Sequence, residues 1–241
     1  MKLFDPRHVG SWHESTPQMV SPEQALPGRD TSVLAGQRVH AVLGGDMMRA
    51  PVGDEQVLYV AGGCYWGVEE IMWQLPGVRE TAVGFMGGFT PNPTYEEVCT
   101  GLTGHTETVR VLFDPHEIAV DSVLKTFWES HDPTTINRQG NDIGTQYRSA
   151  IFFTNPQHGI IATQMRAAYA DILTAHGKGD IVTEIMAAAQ AGAFYPAEEY
   201  HQQYLHKNPH GYRCHAATGM SCPIPGASPL ANLRISEPRI K

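Results

Sequence analysis

The spacing of apolar residues divides the chain into a structured middle and two irregular ends. Residues 56–61 form a short apolar run that ends in Gly62 and Gly63, the pattern of a strand feeding a turn. Val68, Ile71, Met72 and Leu75 then recur at i, i+3, i+4 and i+7, a helical stripe closed by Pro76 and Gly77. Residues 81–86 and 106–113 read as two further strands. Val120, Val123, Leu124, Phe127 and Trp128 mark a second helix, stopped before Pro133. A buried strand follows over 149–153. Asn155 then caps a third helix with Pro156 at its first position, and Ile161, Met165, Tyr169 and Ile172 line its apolar face up to Gly177. Residues 181–185 supply one more strand. Interleaved strands and helices with irregular connections predict an α+β fold, a two-layer sandwich in which helices flank a mixed β-sheet.

Residues 1–55 lack sustained periodicity and carry Pro6, Pro17, Pro22, Pro27 and Pro51. They read as an extension that wraps the domain or hangs from it, with one short strand at 38–43. The domain proper then runs over 56–222, and residues 223–241, rich in proline and small side chains, form an irregular tail. No fixed-period repeat is visible, which excludes a solenoid.

Charge and composition narrow the possibilities. The chain has 241 residues with Lys+Arg 17 against Asp+Glu 25, a net charge of −8. A nucleic-acid-binding protein would need basic clusters facing phosphate, and this balance argues against one. Polar residues interrupt the N-terminus before a signal peptide could form, and no stretch of ~18 apolar residues could span a membrane. Only four cysteines in a chain of this size are too few for a secreted disulfide scaffold. A reducing, cytoplasmic setting is expected, and a monomer, since no apolar helical seam lies outside the core. Cys64, Cys99, Cys214 and Cys222 therefore need individual explanations.

Cys64 sits where a strand ends and a helix begins, between Gly62-Gly63 and Gly67. A thiolate there faces unpaired N–H groups and the positive end of the helix dipole, which lowers its pKa and favours nucleophilic attack. Tyr65 and Trp66 could wall a small apolar ligand group. The plainer alternative is an inert core cysteine beside two core aromatics.

In the strand 106–113, alternation puts Glu107 on the face of Val109, Val111 and Phe113. An acid on an apolar face either lies at the strand's wet end or is desolvated. In the second case its pKa rises and it stays protonated near neutral pH. The loop 140–148 gathers hydrogen-bonding groups, as ordinary turns also do.

Cys214 and Cys222 lie eight residues apart in an irregular, glycine-containing segment. Mobile cysteines can reach a partner and exchange disulfides, whereas buried ones cannot. A zinc site could instead draw on His201, His206, His210, Cys214, His215 and Cys222. His206 and His210 have zinc-site spacing, but the cysteines do not, so no metal is expected.

Five segments taken together carry a specific resemblance: Gly63-Cys64-Tyr65-Trp66-Gly67, the stretch from Gly84 to Cys99 with Pro91-Asn92-Pro93-Thr94-Tyr95, Thr103-Gly104-His105-Thr106-Glu107, Gly140 to Ser149, and His201-Gln202-Gln203-Tyr204-Leu205. From about Gln56 to Cys222 the chain resembles the A-type peptide methionine sulfoxide reductases, which act on the S epimer of methionine sulfoxide. It looks most like bacterial members with two recycling cysteines in the C-terminal tail. The resemblance implies that Cys64 attacks the sulfoxide sulfur and that Glu107 protonates its oxygen. Tyr95 and Tyr147 would hydrogen-bond that oxygen, and Asp142 would support the polar network. Tyr65, where the family usually has phenylalanine, and Trp66 would hold the substrate methyl group. Cys214 and then Cys222 would regenerate Cys64, leaving a disulfide for thioredoxin, or dithiothreitol in vitro, to reduce. Oxidised proteins and free methionine sulfoxide would be the substrates, no bound cofactor is implied, and Cys99 is given no task.

Two other readings compete. A papain-like cysteine hydrolase would need a histidine base at Cys64. A non-catalytic zinc module would need metal to fold.

Overall fold

The computed structural model describes residues 16–36, 38–214 and 216–226. In chain order the elements are β1 (Gln56–Ala61), α1 (Tyr65–Trp73), β2 (Val78–Met86), α2 (Tyr95–Cys99), β3 (Thr106–Phe113), α3 (Val120–Ser130), β4 (Arg138–Gln139), β5 (Asp142–Ile143), β6 (Ala150–Phe153), α4 (Pro156–Ala175), β7 (Glu184–Ala187), α5 (Ala188–Ala191), β8 (Tyr195–Pro196) and α6 (Tyr204–Lys207). Six strands form one sheet in the order β7-β6-β1-β3-β2-β8. Pairings are antiparallel except β6 with β7, so the sheet is mixed as the pattern predicts. Strands β4 and β5 make a separate small hairpin.

Helices α1, α3 and α4 lie together on one face of the sheet. Val109, Val111 and Phe113 of β3 enter the main core there with Met72, Phe127, Trp128 and Tyr169. Fully burying side chains of this size contributes about 1.5–3 kcal/mol each, which fixes the register of β3 and with it the side to which Glu107 points. On the opposite face Arg110 donates to the carbonyls of Met47 and Arg49, binding the segment before β1 to the sheet.

Two local expectations are corrected. Residues 38–43 form no strand: the N–H groups of Val42 and Leu43 both donate to His40 Nδ1 and fold the segment into a turn, leaving one bridge between Val39 and Asp46. The strand expected at 181–185 starts at Glu184, because Val182 N–H is spent on the Pro133 carbonyl outside the ladder. Of the C-terminal residues, 223–226 are described and hold no helix or strand, and Ile224 packs against the main core. The N-terminal segment is also tied down, Arg29 forming a two-pronged bond with Glu97 at 2.9 and 2.6 Å.

Candidate active site

Strand β1 delivers the chain to a turn that only glycine can make. Gly63 has φ 91°, and a Cβ there would stand 2.7 Å from Gln139. The turn leaves Cys64 as the N-cap residue of α1, with 7% exposure. Helix α1 is held in place by buried Glu69, whose carboxylate accepts from Gln203 N and Nε2 and from Thr81 Oγ1.

The helix N-terminus does not leave Cys64 ionised. Burial raises its thiol pKa most and the nearby Glu107 carboxylate raises it further; the N–H groups of Trp66 and Gly67 oppose them and lose. The expectation of a lowered pKa is thus overturned in the free site. Desolvation of a buried anion outweighs two helix amides.

Glu107 is 1% exposed, which decides between its two readings. Its Oε2 accepts the N–H of Tyr65, the first residue of α1, at 2.9 Å. Burial pushes its pKa up to about 8; the Tyr65 amide works against this and Asp142 adds to it. At neutral pH the group is mostly a neutral acid.

Around this pair lies a cavity of about 220 Å³ lined by Cys64, Tyr65, Trp66, Tyr95, Glu107, Asp142, Tyr147 and Tyr212. Tyr95 opens α2, whose start is fixed by a capping box: Thr94 Oγ1 accepts Glu97 N–H and Glu97 accepts Thr94 N–H. Tyr147 stands in the 3₁₀ turn Thr145–Tyr147. Thr106 Oγ1, one residue before Glu107, bonds the carbonyls of Gln146 and Arg148 at 3.0 and 2.9 Å and so ties that turn to β3. Burial and then Glu107 raise the pKa of both Tyr95 and Tyr147, so both hydroxyls remain proton donors. Trp66 stacks on Tyr204 at 3.9 Å between centroids, and its indole N–H donates to His201 Nδ1 at 3.2 Å. The cavity can therefore take a small group against aromatic rings and present a thiol, a neutral acid and two phenols to its polar end.

Residues 56–222 match a family model described as peptide methionine sulfoxide reductase. The chain belongs to that family. It is 52% identical over 210 residues to peptide methionine sulfoxide reductase MsrA 1 of Caulobacter vibrioides, covering 87% of this chain and 94% of the relative. A Streptomyces griseus relative named MsrA is 51% identical over 214 residues, with 89% and 96% covered. The solved structure of methionine sulfoxide reductase A of Corynebacterium diphtheriae superposes with a TM-score of 0.78 at 47% identity, covering 87% of this chain and all of that one.

Seven residues singled out from the sequence gather at the cavity of this reductase-family protein: Cys64, Tyr65, Trp66, Tyr95, Glu107, Asp142 and Tyr147. Cys214 stands beside it, its thiol facing Asp142 and Tyr212 and donating to the Gln139 carbonyl at 3.4 Å. Arg213 fastens this stretch to α1 through two 2.7 Å bonds to Glu70. Cys222 is elsewhere: it is 0% exposed in the main core, its N–H bonded to Glu129 and its carbonyl to Lys125 Nζ. Of the two alternatives open for the tail cysteines, Cys222 is thus the buried one in this arrangement, and Cys214 is half-buried. Burial raises both thiols, to about 11 for Cys214 and about 12 for Cys222. Cys99 is exposed at the end of α2, with the Tyr95 hydroxyl against its thiol.

Other residues escaped the sequence reading. Tyr212 lines the cavity and points its hydroxyl at both oxygens of Asp142, each at 3.1 Å. Glu198 accepts Tyr95 N–H at 3.1 Å. Only the His201–Leu205 motif hinted at this region, and spacing in an irregular loop gives no direction for a side chain. Among the described residues no three of His, Cys, Asp and Glu converge in a metal-binding arrangement, and no helix is long and apolar enough to cross a membrane. His215 lies outside the described residues.

Proposed function

We propose that this chain reduces the S epimer of methionine sulfoxide, free and in proteins, to methionine, and so repairs oxidative damage. The observation that carries this reading is the pairing of Cys64 with a neutral, buried Glu107 in one aromatic-walled cavity. Sulfoxide oxygen leaves sulfur only when protonated, so the reaction needs both a nucleophile and an acid of raised pKa.

Trp66 and Tyr65 hold the substrate methyl group, while Tyr95 and Tyr147 donate hydrogen bonds to the sulfoxide oxygen. Glu107 gives that oxygen a proton as Cys64 attacks sulfur, and the proton given up by the thiol restores the acid. Attack joins Cys64 Sγ to the substrate sulfur. The protonated oxygen then passes to Cys64 Sγ as that S–S bond and the substrate S–O bond break, so the substrate sulfur gains two electrons, Cys64 loses two, and Cys64 ends as a sulfenic acid. Asp142, bonded by Tyr212, supports the polar end of the cavity.

Regeneration starts with Cys214, which lies beside the cavity. Its thiol condenses with the sulfenic acid, releasing water and forming a Cys64–Cys214 disulfide. Cys222 then attacks Cys214, which frees Cys64 and leaves a Cys214–Cys222 disulfide. That step requires the tail to leave α3, because Cys222 starts buried under Lys125 and Glu129. Thioredoxin, or dithiothreitol in vitro, reduces the final disulfide. The catalytic unit is residues 56–222, working as a cytoplasmic monomer where thiols are kept reduced, with no bound cofactor or metal.

The assay is turnover of the two epimers of N-acetyl-methionine sulfoxide with dithiothreitol. The S epimer is consumed and the R epimer is not. Peptide or ester hydrolysis without reductant, with both sulfoxides untouched, would instead support a cysteine hydrolase; against that reading, none of the described residues lining the cavity with Cys64 is a histidine.

A further inference from the structure

Three buried polar atoms on residues that line or brace the cavity have no hydrogen-bond partner among the described residues: Tyr65 Oη, His201 Nε2 and Glu198 Oε2. They belong to one place. The Tyr65 and His201 rings are 5.6 Å apart between centroids, His201 Nε2 is 4.0 Å from Glu198 Oε2, and the Glu198 carboxylate acts on the Tyr65 hydroxyl. A separation of 4.0 Å exceeds a hydrogen bond, yet one water can sit about 3 Å from both atoms.

The proton positions follow from the neighbours. Trp66 Nε1–H can only donate, so His201 Nδ1 must accept. Burial holds the His201 pKa at about 4, so the neutral ring carries its proton on Nε2. Nε2–H is thus a donor and Glu198 Oε2 an acceptor, while the Tyr65 hydroxyl can be either. A water between His201 Nε2 and Glu198 Oε2 that also met the Tyr65 hydroxyl would make three bonds, the usual number for a buried one.

We propose that Tyr65 Oη, His201 Nε2 and Glu198 Oε2 hold one buried water, which makes Glu198 and His201 positioning residues for two sides of the cavity. The other oxygen of Glu198 holds Tyr95 N–H at the start of α2, and the other nitrogen of His201 holds the Trp66 indole. The water closes a chain from Trp66, against the substrate methyl group, to Tyr95, at its oxygen. The positioning role rests on the sulfoxide-reductase reading; the water site does not.

The direct test is a high-resolution crystal structure of the full chain with nitrogen-15 NMR of His201. The expected result is an ordered water within about 3.2 Å of all three atoms and a neutral Nε2–H tautomer at neutral pH. No water density at that point, or an Nδ1–H tautomer, overturns the proposal. For the positioning role, Glu198→Gln keeps an oxygen acceptor and Glu198→Leu does not. The leucine variant should raise KM for the S-sulfoxide about tenfold with kcat nearly unchanged, and the glutamine variant should stay near wild type. Equal losses in both variants, or a fall in kcat alone, contradict the positioning role. If the leucine variant does not fold, Glu198→Ala takes its place with the same expected rise in KM, and the wild-type water and tautomer readouts still decide the water site. A wild type without sulfoxide reduction would overturn the function and leave those two readouts standing.

Discussion

Glu107 Oε2 accepts the backbone N–H of Tyr65 at 2.9 Å, so the acid is bonded to the residue that follows the nucleophile. The first turn of α1 thereby divides its free amides. The first holds the acid, and those of Trp66 and Gly67 face the Cys64 sulfur. One helix start fixes the distance relation between the two groups that the reaction must bring to a single sulfoxide.

Removing the acid while keeping its shape should slow the chemistry more than binding. Glu107→Gln is expected to lower kcat by ~10²-fold or more, a general acid's share of catalysis. In the wild type kcat/KM should fall as pH rises through about 8, where Glu107 loses its proton. A pH profile measured for both proteins checks this, and the fall near pH 8 should be missing from the variant.

The same raised pKa has a stability consequence of definite sign. A carboxyl lifted from 4.5 to about 8 by burial binds its proton more tightly in the folded state. Its neutral form costs nothing extra below the unfolded pKa, and stability is lost as pH rises from there through the folded value. Buried Glu69, lifted to about 7, acts in the same direction. Thermal melts should show Glu107→Gln more stable than wild type at pH 8, by a few degrees, with the gap closing near pH 4.5.

Atom balance fixes how much methionine each protein can make without a reductant. The relay frees Cys64 once, so reduced wild type should yield about two equivalents. Cys222→Ser stops at the Cys64–Cys214 disulfide and should yield about one, and it should not cycle with thioredoxin. Amino-acid analysis after quenching gives the count, and normal cycling of Cys222→Ser would end the three-cysteine relay.

Burial also orders the thiols. Native-state alkylation should modify exposed Cys99 first and Cys222, under Lys125 and Glu129, last. Lys125→Met removes a donor to the Cys222 carbonyl and should speed labelling of Cys222 several-fold, read by peptide mass spectrometry.

Much of this was legible in the sequence because burial writes a period into it. Strands β1 and β3 and helices α3 and α4 follow their apolar spacing, and Cys64 stands at the strand-to-helix junction it suggests. Alternation alone placed Glu107 on the core face but left its solvent access open, since that depends on α1 lying over it. Helix α2, of five residues, is too short for periodicity and shows only the Thr94–Glu97 capping pair. Tyr212 and Glu198 act through long-range bonds to Asp142 and Tyr95, which no local pattern records. The ionisation of Cys64 went the other way from the helix-dipole expectation because desolvation is a tertiary quantity. The segment around Cys214 and Cys222 carries no periodicity that would predict packing, yet Glu129 and Lys125 hold Cys222 in the core.

The central claim is that Cys64 is the group the sulfoxide oxidises. Reduced wild type and Cys64→Ser should each be given N-acetyl-methionine S-sulfoxide with dithiothreitol, and the thioether product measured. Wild type should turn over repeatedly and the serine variant should form no product above the uncatalysed rate. Full activity in Cys64→Ser would contradict the account.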